Sequence, residues 1–100
     1  MIQSEENIKE ILNKLYVDLN REILDENIEK IWFEEKDKII RGDRRGELLP
    51  NWIVAIDFPL FETTDFLTIS DETGDPLYFQ TKHGVYEIFK REDGVYYMED

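Results

Sequence analysis

Trp52-Ile53-Val54-Ala55-Ile56-Asp57-Phe58 is the stretch on which the reading of the fold turns. Trp52, Val54, Ile56 and Phe58 share one face of an extended chain, and Ile53, Ala55 and Asp57 share the other. A strand that is apolar on both faces for most of its length belongs in the middle of a sheet. The same stretch marks a change of period. From Pro50 onward apolar residues recur every second position; before it they recur at helical spacing.

Working toward the C-terminus, Phe66-Leu67-Thr68-Ile69 predicts a second strand and Glu72-Thr73-Gly74-Asp75 a turn. Leu77–Thr81 predicts a third strand, His83-Gly84 a reversal, and Val85–Phe89 a fourth strand. An Asp93-Gly94 hairpin signal then leads into a short fifth strand over Val95–Met98. Connections this short permit only antiparallel neighbours, because a parallel pair needs a crossover of about a dozen residues.

Working toward the N-terminus, Ser4 is a good helix cap, and Glu5 and Glu6 place negative charge at the positive end of the helix dipole. Ile8, Ile11, Leu12, Leu15 and Leu19 then form one helical stripe. The apolar pattern resumes with Ile23, Leu24, Ile28, Ile31 and Trp32 and runs to Ile39-Ile40. It reads as one bent helix, or as two with Asp25 capping the second. Lys36, Lys38 and Arg41 suit the last turns of such a helix, and Gly42 suits its end. The predicted class is α+β: an N-terminal helical segment packed on a curved antiparallel sheet of four to five strands. Residues 1–100 form one domain, with the second sheet face free or covered by a partner.

The 100 residues carry 24 acids and 12 bases, for a formal net charge of −12, with no cysteine. Apolar residues make up 41% and aromatics 13%, too much for a disordered chain. The charge argues against nucleic acid as a partner. The absence of cysteine rules out a disulfide framework and a thiolate metal site. No apolar run approaches the roughly 20 residues of a membrane span, so no membrane partner is expected. Met1–Glu6 has neither the basic start nor the apolar core of a secretory signal, and the expected location is cytoplasmic.

The acids are unevenly distributed. Between Gly46 and Thr81 there is no Lys or Arg, beside seven carboxylates: Glu47, Asp57, Glu62, Asp65, Asp71, Glu72 and Asp75. They belong to the first strands and their loops and are expected to share one region of the sheet. A solvated acidic surface explains such a run, and so does a docking patch for a basic protein. Tyr78 and Tyr86, with Tyr96 and Tyr97, add aromatic contact chemistry to the docking reading.

Motifs for chemistry are sparse. His83 is the only histidine and reads as a turn residue; Ser4 and Ser70 lie in no nucleophile elbow. Asp71–Asp75 lacks the alternating ligands of a calcium loop, and no phosphate-binding glycine loop occurs. Arg41-Gly42-Asp43 reads as a basic turn, not an adhesion signal, and no catalytic, metal or cofactor residue is assigned.

The run Trp52–Phe58, followed by Asp71-Glu72-Thr73-Gly74-Asp75-Pro76-Leu77-Tyr78 and Lys82-His83-Gly84, resembles the strand region of small cystatin-like and NTF2-like bacterial proteins. Some of these are immunity proteins paired with secreted toxins. The resemblance implies a cystatin-like fold and a toxin-binding role, and carries no catalytic residue across. The leading expectation is a non-enzymatic acidic binding protein, concretely an immunity-type inhibitor of a basic toxin such as a nuclease. The alternatives are a small-molecule-binding or enzymatic domain using the helix–sheet concavity, and a structural domain that dimerises through its free sheet face.

Overall fold

A capped helix opens the chain, and antiparallel strands succeed it. The computed structural model describes residues 1–99. Its elements are α1 (Glu5–Asp18), β1 (Ile28–Lys38), β2 (Leu48–Phe58), β3 (Thr63–Ser70), β4 (Pro76–Thr81), β5 (Gly84–Glu87), β6 (Phe89–Lys90) and β7 (Tyr96–Tyr97). β1 to β5 pair in chain order as one open antiparallel meander, and β6 and β7 form a separate ladder. The architecture is α+β, one N-terminal helix on a five-stranded antiparallel sheet.

α1 starts where its cap predicts. The Ser4 hydroxyl accepts from the Asn7 backbone N–H at 3.2 Å, and the Asn7 side chain accepts from the Ser4 N–H at 3.2 Å. This reciprocal pair satisfies two groups that an uncapped helix end leaves open. Ile8, Leu12, Leu15 and Tyr16 are buried against Trp52, Val54, Ile56, Leu67, Ile69 and Phe79. Ile11 and Leu19 pack at the edge of this core.

The helical reading stops being correct after residue 18. Only a 3-10 turn forms at Asp25–Asn27, and residues 28–38, expected as helix, are the first strand of the sheet. Ile31 lies opposite Val54 and Phe33 opposite Trp52, both pairs on the face that carries the core. The reason is the demand of β2. A strand apolar on both faces is stable only with hydrogen-bonded neighbours on both edges, and β1 supplies the second. Ile31-Trp32-Phe33 has the β-branched and aromatic character that fits this place. Lys36 and Lys38 therefore lie on a strand, and Gly42 (φ +98°) turns the loop between β1 and β2, with no helix end nearby.

The C-terminal strands differ in membership too. The expected fourth strand divides at Ile88, whose N–H donates to the Leu77 carbonyl at 3.0 Å. The expected fifth strand shortens to Tyr96–Tyr97 and pairs with β6 outside the main sheet. The main sheet has five strands because β1 joins it.

The face of the sheet away from α1 is not left bare. Ile53, Ala55, Thr68 and Tyr78 on it are buried. The end of the β1–β2 hairpin reaches over it, with the Ile40 N–H 3.4 Å from the Tyr78 hydroxyl and Gly42 close to the Glu87 carboxylate. Part of the surface expected to be free is thus covered by this chain itself. Among the described residues, no helix is long and apolar enough to cross a membrane.

Candidate functional site

The antiparallel pairing decides where the seven acids go. Phe58 pairs with Thr63 at one end of the β2–β3 hairpin, and Asn51 pairs with Ser70 at the other. Asp57, Glu62 and Asp65 therefore gather at one end, and Glu47, Asp71, Glu72 and Asp75 at the other, about 20 Å away along the strands. The expectation of a single region is corrected: a hairpin folds its two ends apart, however close their residues are in sequence.

At the second end the carboxylates are engaged. Arg44 Nε lies 2.9 Å from Glu47, and its guanidinium lies 3.5 Å from Glu72. Asp75 accepts from the Tyr96 hydroxyl at 2.8 Å and from Lys90 at 3.2 Å. Burial and the bond to Asp75 push the Tyr96 hydroxyl well above the usual phenol range. Asp71 is 1% exposed and holds the N-terminal segment. It accepts from the Ile2 N–H at 2.9 Å, the Gln3 N–H at 2.9 Å and the Trp52 indole N–H at 2.9 Å. Burial alone would raise its carboxyl, but these N–H groups together hold it below the usual range. Gly74 (φ +76°) makes the adjoining turn, with Gln3 packed so near that a Cβ there would sit 3.2 Å from its amide nitrogen. Tyr78, also expected at an interface, is 2% exposed and belongs to the sheet.

The first end is different. β2 and β3 are joined by a 3-10 turn, Pro59–Phe61, closed by Glu62 in the left-handed conformation (φ 51°). This turn presents Leu60 at 94% exposure and Phe61 at 72%. Asp57 accepts weakly from Thr64 at 3.4 Å, and Glu62 is exposed. Beside the turn lies a cleft of about 790 Å³, lined by the C-terminal end of α1 and by the sheet. Its walls come from α1 (Tyr16), the β2–β3 hairpin (Phe58, Phe61), β4 (Phe79), β5 (Tyr86) and the C-terminal segment (Tyr97).

Asp65 points into this cleft. Thr63, Asp65, Leu67 and Ile69 alternate onto the core face of β3, so Asp65 continues the line of the core into the open end. Burial pushes its carboxyl above the usual range, with Arg21 and His83 pulling the other way. It accepts no hydrogen bond from the described residues. Tyr16 is 4% exposed, packs edge-on to Phe79 at 6.1 Å, and has its hydroxyl pushed up to about 12 by burial and then by the Asp65 charge. Arg21, Lys82 and His83 stand exposed at the rim, and Tyr86 is 40% exposed.

Tyr16 was outside the sequence-predicted set, although its place on the helical stripe next to Leu15 and Leu12 is legible. The special character of Asp65 was also legible in part. It lies two positions before Leu67, on the apolar side of the alternation, where a carboxylate is out of place. Comparison of the chain with protein-family models, with curated proteins and with solved structures finds no match in any of the three.

Proposed function

We propose that this chain is a non-enzymatic binding protein that engages a basic protein partner through the β2–β3 end of its sheet. The observation that carries this reading is the exposed pair Leu60 and Phe61, flanked by Asp57 and Glu62. Apolar side chains held out on a tight turn give an anchor for association, and surrounding carboxylates steer a cationic partner and exclude anionic ones. At the far end, Arg44, Lys90, Tyr96 and backbone N–H groups already occupy the carboxylates. Supporting the non-enzymatic part, Ser4 caps α1 and the Ser70 hydroxyl accepts from the Thr73 N–H at 3.3 Å, so neither hydroxyl is poised as a nucleophile.

In its concrete form the proposal is an immunity-type inhibitor that covers the nucleic-acid groove of a basic toxin, carboxylates standing where phosphates would lie. The helix-on-sheet order is compatible with the cystatin-like form that the sequence resembles. A second reading, a small-molecule-binding domain using the helix–sheet concavity, draws on the volume of the cleft and on Asp65, which accepts no hydrogen bond from the described residues.

The test is association kinetics with the partner captured from the native cell. Leu60→Ser with Phe61→Ser should weaken binding about tenfold or more, mainly through faster dissociation. Asp57→Asn with Glu62→Gln should slow association and reduce its dependence on salt. Glu47→Gln with Glu72→Gln should change neither rate. If that last pair proves as damaging as the others, the contact surface lies elsewhere.

A further inference from the structure

We propose that the cleft beside the β2–β3 turn is a socket for a guanidinium side chain of the basic partner, with Asp65 as its counter-ion. The inference rests on the reading that the partner is basic, and it assigns that partner's anchoring chemistry.

Asp65 is the starting point. Asp57, Asp71 and Asp75 each accept at least one hydrogen bond from this chain, whereas Asp65 accepts none from the described residues. Partial burial takes some hydration from the Asp65 carboxylate, whose oxygens still reach water in the cleft, and a cation delivered there offsets that loss. Tyr16, Phe58, Phe61, Phe79, Tyr86 and Tyr97 wall the space around it. The faces of such rings attract cations, and Phe61 and Tyr86 are the exposed ones, whereas Tyr97 is already stacked on Phe89. This chain already uses that attraction: Lys14 lies 4.6 Å from the Tyr96 ring centre, Lys30 5.0 Å from that of Trp32 and Arg91 5.3 Å from that of Tyr97.

The cleft's own charges narrow the choice of cation. Asp18 is occupied by Lys14 and by the Tyr96 N–H. Arg21, Lys82 and His83 stand at the rim and oppose any cation in transit; Glu22 and Glu99, also exposed, favour one. None of the three bases forms an ion pair with Asp65. A planar guanidinium is more weakly hydrated than an ammonium and stacks on aromatic faces, so it suits an aromatic-walled approach to a half-buried carboxylate. A volume of about 790 Å³ admits such a side chain together with the residues on either side of it.

The experiment has two arms. In the first, butylguanidinium and pentanoate, matched in ionic strength up to about 50 mM, are titrated against the protein by amide NMR, a range in which a group worth a few kcal/mol registers. Butylguanidinium should shift the resonances of Asp65, His83 and Tyr86, and Asp65→Asn or Tyr86→Ala should weaken the effect about fivefold or more. Equal shifts from pentanoate, no shift at these residues, or indifference to Asp65→Asn would overturn the socket. In the second arm, Asp65→Asn should weaken the captured partner about tenfold. Butylguanidinium binding through Asp65 with partner affinity unchanged by Asp65→Asn would make the socket one for a free organic cation and overturn its assignment to the partner. Loss of partner affinity on Asp65→Asn, with none on Leu60→Ser, would retain the socket and overturn the turn as the anchor.

Discussion

Asp65 and Asp71 stand at the two ends of β3, and their carboxyls are shifted in opposite directions. Asp71 is held low by the N–H groups of Gln3, Trp52 and Ile2, which outweigh its burial. Its contribution to stability is therefore complete above the unfolded value, about 4, and is lost as pH falls through the lower folded value. Asp71→Asn should cost about 2–3 kcal/mol at neutral pH, as the loss of charge-assisted bonds does, and should blunt the loss of stability on acidification. Asp65 has the opposite sign. Burial raises its carboxyl, so the unfolded chain ionises first and stability declines as pH rises from the unfolded value through the folded one. Asp65→Asn should leave stability at neutral pH equal to or above that of the parent. Urea titrations of both variants between about pH 3 and 7 check the pair, and a destabilised Asp65→Asn would show that its charge has a partner. In the sequence Asp65 stands out only by its place on the apolar side of the alternation, and Asp71 does not stand out. The environment of Asp71 was hidden because its donors Ile2 and Gln3 lie 69 and 68 residues away along the chain.

At the scale of elements, α1 and β1 show the limits of periodicity. α1 is legible because its determinants are local: a serine cap, acids in the first turn, and a stripe that repeats over several turns. In β1 the spacing of Ile28, Ile31 and Trp32 imitates a helix, while Ile31 and Phe33 fit a strand equally well. The tie is broken by β2, which gains a neighbour on its open edge only if residues 28–38 extend. Phe33 separates the two readings, because it falls off the helical stripe yet packs against Trp52 with ring centres 5.4 Å apart. Phe33→Ala should cost about 2–4 kcal/mol, as truncation of a packed aromatic does, and should alter Trp52 emission. A change within about 0.5 kcal/mol, typical of exposed positions, would remove Phe33 from the core.

The whole molecule carries a net charge of −12, and the exposed members of its ion pairs contribute little. Repulsion among the remaining carboxylates should dominate the response to salt. The midpoint of thermal unfolding should rise as NaCl increases from about 0.05 to about 0.5 M, a range over which the Debye length falls severalfold below the dimensions of the protein. A falling midpoint would show instead that attractive pairs such as Lys14–Asp18 and Lys90–Asp75 outweigh the repulsion. By itself the sequence determined the capped helix, the central strand at Trp52–Phe58 and the antiparallel sense of the strands C-terminal to it, because caps, alternation and short turns act between near neighbours. Tertiary structure alone decided the strand state of residues 28–38, the division of the acids between two ends of a hairpin, and the contrast between the bonded Asp71 at one end of β3 and Asp65 at the other. Each of these depends on which distant residue arrives opposite, and hydrogen bonds and desolvation, which govern the outcome, exist only once it has arrived.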